Sequence, residues 1–219
     1  MPEIRAAFFD FGGVILSSPF DAFAEYERRL GLPDGFIRAL NSTNPDDNAW
    51  AQLERNQVSF DEFCQLYEGE AHAAGHGVDA REVMALLSGT VRPEMVGAVQ
   101  RCKERIKTAC LTNNFVSFDQ FPKEAVADGR DEVLELFDVI VESSKVGVRK
   151  PDPRFYEMAC EALEVHPADA VFLDDLGINL KPARAMGMHT IKVVTGHQAV
   201  ADLYAVLGVA PEGWEPGGP

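Results

Sequence analysis

Residues 5–16 read RAAFFDFGGVIL. An apolar run of strand type ends in a single carboxylate, Asp10, and two glycines follow it. A run that is apolar at every position suits a strand covered on both faces. A carboxylate at the end of such a run is costly unless something nearby compensates its charge. Taken alone, Asp10 serves equally well as a turn or helix cap, and Gly12-Gly13 says only that the chain turns tightly. The other runs of the same type decide between these readings.

Those runs are Ile4–Phe9, Lys107–Leu111, Val139–Val141, Val171–Leu173 and Thr190–Val194. Helical patterns separate them. Asp152 and Pro153 open RFYEMACEAL as an N-cap and a first-turn proline. LKPARAMGMH reads as a short helix ending at Gly187, and QAVADLYAVLG as another ending at Gly208. Strands alternating with helices predict an α/β fold, a doubly wound Rossmann-like parallel sheet. The rhythm breaks between residues 17 and 90. There PFDAFAEYERRLG, DDNAWAQLER, SFDEFCQLYEGEAHAAG and DAREVMALLSG all read as helices, the third opening on a Ser59/Glu62 capping box. The pattern predicts a core of residues 1–16 and 91–210 and a small helical cap, 17–90, inserted after the first strand. Ser17–Pro19 is its expected hinge, and the Pro- and Gly-rich residues 211–219 are expected to fray.

The 219 residues are 46% hydrophobic, which suits a packed core, and carry a formal net charge of -15. That charge repels phosphate backbones and anionic lipid, so nucleic acid and membranes are excluded as expected partners. A small anionic substrate remains compatible if the site brings its own cation. Cys64, Cys102, Cys110 and Cys160 form no C-x-x-C pair and lie in no zinc-type cluster, so they read as reduced thiols. The N-terminus lacks the basic start and cleavage site of a signal peptide, and no stretch is long enough to span a bilayer. The expected location is the cytoplasm, as a monomer or homodimer.

Four of the five strands end in polar residues. The first ends at Asp10, the second at Thr112 and Asn113, and the fourth at Asp174, Asp175 and, four residues on, Asn179. After the third comes SSKVGVRKPDP with Lys150. Ligands of open parallel sheets bind at the carboxyl ends of the strands, so these residues should converge on one crevice. Each has a plain alternative as a cap or a solvated turn. Two adjacent acids after a buried strand, however, repel unless a cation or donors compensate them.

The order D-F-G-G-V, L-T-N, K-P-D-P, L-D-D-x-x-x-N resembles the haloacid dehalogenase-like superfamily over about residues 4 to 196, and the helical insert resembles its C1 cap. SSKVGVRKPDPRFY and FLDDLGINLKPARAMGMHTIKV are similar to the N-terminal phosphatase domain of soluble epoxide hydrolases and to related domains fused to some acyl-CoA dehydrogenases. The resemblance implies a Mg²⁺-dependent hydrolase of small phosphorylated metabolites, with Asp10 as the nucleophile forming an aspartyl-phosphate. It implies Mg²⁺ ligands in the Asp10 carboxylate, the Gly12 carbonyl and Asp175, with Asp174 a further or water-mediated ligand. Asn179 would orient these acids, Thr112 and the Asn113 N–H would hold phosphate, and Lys150 would balance the charge of Asp10 and phosphate.

Gly12 departs from the family's commoner D-x-D, whose second acid protonates the leaving oxygen and then activates water. General acid–base help is worth roughly 10²–10⁴-fold, so three readings compete. They are a phosphatase for substrates that need no proton from residue 12, a catalytically impaired binding module, and a 2-haloacid dehalogenase. The adjacent Asp174 and Asp175 oppose the last, since a metal-free site has nothing to neutralise them. In the cap, Asn41, Asn44 and Trp50 are candidates to face substrate, against the plainer reading of a solvated loop with a core tryptophan.

Overall fold

A computed structural model describes residues 3–114 and 129–209. Five strands, β1 (Ala6–Phe9), β2 (Lys107–Thr112), β3 (Val139–Glu142), β4 (Ala170–Asp174) and β5 (His189–Lys192), form one parallel sheet in the order β3-β2-β1-β4-β5. β1 is central and pairs with both β2 and β4, aligning Phe9 with Cys110 and with Leu173. The residues that follow these positions therefore emerge at one edge of the sheet.

Between β1 and β2 lie α1 (Phe20–Leu30), α2 (Phe36–Ser42), α3 (Ala49–Glu54), α4 (Phe60–Ala73) and α5 (Ala80–Ala85), which build the cap. Its core gathers Phe23, Ile37, Leu53, Phe63, Tyr67 and Val83. The insert leaves and returns at adjacent points: Leu16 bridges Val91, and the Ser17 N–H donates to the Thr90 carbonyl at 2.8 Å. The rest of the chain forms α6 (Pro93–Lys103), α7 (Arg130–Leu134), α8 (Ser143–Val146), α9 (Pro153–Leu163), α10 (Gly177–Ala185) and α11 (Gly196–Leu207). Strand side chains alternate between faces. Ala7, Phe9, Cys110 and Leu173 pack with α6 and α11, while Ala6, Phe8, Ala109 and Phe172 pack with α9 and α10. This two-sided burial is why β1 is apolar at every position.

The Ser59/Glu62 capping box is formed, and Asp152 caps α9 ahead of Pro153. All four cysteines are free and buried. Two helix expectations shift. α10 begins at Gly177, three residues before Leu180, and contains Pro182. The Asp174 carboxylate accepts the Leu176 N–H at 2.7 Å, so the chain turns directly after β4 and the helix starts there. Asn41, read as facing substrate or as part of a solvated loop, lies inside α2. The start of α2 has no local side-chain cap. The buried Glu27 carboxylate takes the amides of Gly35 and Ile37, both at 2.8 Å, and supplies the anion from α1. The expected tail at 211–219 lies outside the described residues.

Candidate active site

The turn after β1 differs at its two glycines. Gly13 has φ 73°, a left-handed value that strains other residues, and a Cβ there would lie 2.3 Å from Asp175 Oδ2. Gly12 has φ −67° and ψ 134°, and a Cβ there meets nothing within 4 Å. Gly13 is therefore required by the approach of the turn to Asp175. Gly12 is required neither by its backbone nor by space.

Asp10 Oδ1 accepts the Phe11 N–H at 2.7 Å and lies 2.8 Å from Lys150 Nζ. Lys150 reaches back from the loop after α8, is 1% exposed, and also contacts Asp174 Oδ2 at 2.9 Å. Asp174 is fully buried, and its oxygens further accept Leu176 N–H and both contacts of the Asn179 amide at 3.1 Å. The donors around Asp174 are thus protein groups on both oxygens. Asp175 differs. It is half-buried, its carboxylate is bonded by its own backbone N–H, and Lys150 and Arg92 act on it only through their charge.

One ammonium serves three carboxylates here. Burial holds the Asp10 carboxyl well above its ordinary range; Lys150 opposes this, and Asp174 and Asp175 add to it. Burial alone would lower the Lys150 pKa, but Asp10 and Asp174 outweigh it and hold the ammonium above its usual value. Asp175 is raised to about 6, first by burial and then by Asp174. Oxygens of Asp10, Asp174 and Asp175 lie within 4.8 Å of one another. An all-oxygen, charge-deficient group of this kind suits a hard divalent cation.

Thr112 is buried at the end of β2. The Asn113 side-chain amide is tied to the main chain of Lys150: its Oδ1 accepts the Lys150 N–H at 2.9 Å and its Nδ2 donates to the Lys150 carbonyl at 3.1 Å. Next to it, Asn114 accepts Ser144 Oγ–H at 2.8 Å and donates to Glu142 at 2.6 Å, joining the ends of β2 and β3. The sequence reading missed Asn114, although it directly follows the motif L-T-N.

The cap candidates are engaged inside the cap. Asn41 Oδ1 accepts the Tyr67 hydroxyl at 2.9 Å. Asn44 has φ 48° and forms a turn whose carbonyl accepts the amides of Asp47 and Asn48. The Trp50 ring packs by Phe63 and Tyr67, and its Nε1–H donates to Glu54 at 3.0 Å. A cap side chain that meets the core motifs is Glu54, which the sequence reading missed. It lies 2.7 Å from Arg149 Nε and 3.4 Å from Asn113 Nδ2. The signal available was an acid one turn after Trp50 on a helix, with an arginine beside Lys150.

A five-stranded parallel sheet, a helical cap entering after β1 and an acid–lysine cluster at the strand ends define a capped, doubly wound α/β protein with its candidate site at the carboxyl ends of the strands. Over residues 4–187 the sequence matches the haloacid dehalogenase-like hydrolases, and the chain belongs to that family. It is 33% identical to mouse acyl-CoA dehydrogenase family member 10, over 93% of this chain and 19% of that protein. It is also 33% identical to mouse bifunctional epoxide hydrolase 2, over 94% of this chain and 39% of that protein. The chain thus spans well under half the length of these two relatives. With the phosphatase MT3486 of Mycobacterium tuberculosis it shares 30% identity, over 87% of this chain and 88% of the relative. Two solved structures share the fold. One is a haloacid dehalogenase family enzyme of Bacteroides thetaiotaomicron in complex with magnesium and inorganic phosphate (TM-score 0.56, 20% identity, 86% of this chain and 93% of that one). The other is the L-2-haloacid dehalogenase of Xanthobacter autotrophicus (TM-score 0.58, 18% identity, 95% of this chain and 85% of that one). Among the described residues, no helix is long and apolar enough to cross a membrane.

Proposed function

We propose that the protein is a Mg²⁺-dependent phosphatase of small phosphorylated metabolites that works through an aspartyl-phosphate on Asp10. The observation that carries this reading is the charge of the cluster: Lys150 pairs with Asp10 and Asp174, while Asp175, the third carboxylate within reach of one ion, forms no ion pair among the described residues. A dehalogenation site without a cation would leave Asp175 only the unpaired charges of Lys150 and Arg92 against its burial and Asp174, so the pair Asp174-Asp175 favours phosphoryl transfer over attack on carbon. The phosphatase relative that matches over nearly its whole length supports the same choice.

The donor set fits Mg²⁺, held by Asp10, Asp175 and the Gly12 carbonyl, where it would neutralise charge on phosphate oxygens. The oxygens of Asp174 are engaged by Lys150, Asn179 and Leu176, so Asp174 acts by fixing Lys150 or through water, ahead of direct ligation. On Asp10 the Phe11 and Lys150 contacts fall on Oδ1, which leaves Oδ2 to attack. Attack of Oδ2 on phosphorus forms the acyl-phosphate bond and breaks the bond to the leaving oxygen, which departs with the bonding pair. Water then attacks the phosphorus, releasing inorganic phosphate and restoring the Asp10 carboxylate. Thr112 and the Asn113 N–H hold phosphate oxygens, and Lys150 balances the charge passing through Asp10.

With Gly12 in the family's acid position, the leaving oxygen draws no proton from residue 12. Aryl phosphates, whose phenolates leave unprotonated, are the expected good substrates, and simple sugar phosphates the poor ones. The test is hydrolysis of p-nitrophenyl phosphate with and without Mg²⁺, by wild type and by Asp10→Asn. Turnover that needs Mg²⁺ and vanishes in Asp10→Asn supports the reading. Turnover surviving in Asp10→Asn rejects the aspartyl-phosphate, and equal turnover with a chelator present rejects the metal.

A further inference from the structure

The seam between cap and core holds a buried charge that the reaction does not use. Glu54 closes α3 and is 5% exposed. Burying a carboxylate is unfavourable unless partners compensate, and its partners come from both bodies. Trp50 Nε1–H, from the cap, donates to Oε1 at 3.0 Å. From the core, Arg149 Nε lies 2.7 Å from Oε2, and Asn113 Nδ2 lies 3.4 Å from the same oxygen. Arg149 crosses the seam a second time, donating from a terminal nitrogen to the Pro45 carbonyl at 3.0 Å. Its Nε–H is buried and points at no acceptor, so the ion pair is in contact but not aligned as a hydrogen bond.

Two features make this seam more than packing. Arg149 immediately precedes Lys150, so one short segment grips the cap with one side chain and the nucleophile with the next. Asn113, which touches Glu54, holds that segment by both its N–H and its carbonyl. A shift of the cap at Glu54 therefore moves the groups that set the position of Lys150 Nζ against Asp10.

We propose that Glu54 is a positioning residue that latches the cap shut over the site, acting through Arg149 and Asn113 on the segment that carries Lys150. This rests on the phosphatase reading for its kinetic consequence, but the latch itself does not. A protein that reacts only when closed binds and turns over in proportion to its closed fraction. Loss of the latch therefore slows aryl and alkyl esters by the same factor.

The experiment compares wild type, Glu54→Gln, Arg149→Gln and the double variant, well below their melting temperatures, on p-nitrophenyl phosphate and glycerol phosphate. Glu54→Gln keeps the shape and removes the charge, so it tests the pair without emptying the seam. Expected is a fall in kcat/KM of about tenfold or more in each single variant, equal on the two substrates, with the double variant no worse than the worse single. A lowered melting temperature with kcat/KM within twofold of wild type makes the pair mere packing and overturns the proposal. A loss confined to glycerol phosphate also overturns it, since that pattern belongs to a proton donor.

Hydrogen exchange reads the latch even if wild type hydrolyses no phosphate. The hinge amides of Ser17 and Arg92 donate across the cap entrance to Thr90 and Ile15, both at 2.8 Å. They should exchange about tenfold faster in Glu54→Gln. Unchanged exchange there sinks the latch, whereas faster exchange in Glu54→Gln together with a wild type that hydrolyses no phosphate supports the latch and sinks only the phosphatase reading.

Discussion

Core and cap handle buried charge in opposite ways. In the cap, Glu27 has its carboxylate filled by the amides of Gly35 and Ile37, and Asn48 caps α3 while its amide bridges the carbonyls of Asn41 and Thr43. Both of these groups end in backbone and fix shape. At the strand ends of the core, Asp10, Asp174 and Lys150 answer one another, and Asp175 stands beside them with no ion pair among the described residues. The core thus keeps a local excess of negative charge that a folded protein would be expected to remove, unless a cation or a reaction uses it. Glu54 is the exception among the cap groups, because it spans the seam.

The comparison breaks first at Lys150. Lys150→Met leaves two buried carboxylates, Asp10 and Asp174, facing each other. Removing one partner of a buried pair costs about 3–5 kcal/mol. Urea unfolding in a chelator should show a loss of that order, smaller at pH 5 than at pH 8, because a carboxylate that takes a proton no longer carries unpaired charge. The sign follows from Asp10, already raised by burial and raised further without its ammonium. A loss under about 1 kcal/mol, against that same range, would show that the cluster is solvated and the contrast with the cap false.

Gly12 leaves room for a proton donor that the cluster lacks. Its backbone suits any residue, and its Cβ direction is open. Gly12→Asp should therefore fold and bring a proton donor to the leaving oxygen. General acid–base help of roughly 10²–10⁴-fold is the ceiling. The expected gain is about tenfold to a thousandfold on glycerol phosphate, with a much smaller change on p-nitrophenyl phosphate. Equal gains on both would point to charge at the metal instead of proton transfer.

Next in size is the neighbouring glycine. Gly13→Ala must hold φ 73° and push Asp175, since a Cβ would lie 2.3 Å from its Oδ2. A non-glycine residue in a sparsely populated backbone region costs about 1–3 kcal/mol. Gly12→Ala, by contrast, should be neutral or stabilising by under about 1 kcal/mol. Thermal unfolding of the two variants side by side distinguishes these, and equal shifts would mean that the turn does not depend on its approach to Asp175.

How much of this was legible follows from distance along the chain. Asp10, Thr112, Asp174 and Asp175 could be read together because each directly ends an apolar run, and a parallel sheet brings such ends to one edge. Lys150 and Asn179 were readable through their motifs. The different environments of Asp174 and Asp175 were not, because they depend on which oxygen meets Lys150 and Asn179. The seam was illegible for the same reason. Asn113 and Lys150 are 37 residues apart, and Asn113 and Glu54 are 59 apart, with no periodicity linking them. α2 was missed because its cap comes from Glu27 and not from the residues before it.

The smallest effect tests whether the cap contributes shape alone outside its seam. Ser59 caps α4: its hydroxyl accepts the Glu62 N–H at 3.3 Å, and Glu62 accepts the Ser59 N–H at 2.8 Å. The pair is exposed and belongs to a box formed wholly within the cap. Replacing an N-cap serine by alanine costs typically about 1 kcal/mol. Ser59→Ala should lower the melting temperature by a few degrees and leave kcat and KM on p-nitrophenyl phosphate unchanged at 25 °C. Its loss falls on α4, whose buried face packs with Trp50 through Phe63 and Tyr67, whereas Glu54 meets the core at the end of α3. A fall in kcat/KM with Ser59→Ala, matched to that of Glu54→Gln, would mean that general cap stability governs closure. The distinction between a cap that only shapes and a seam that positions would then be lost.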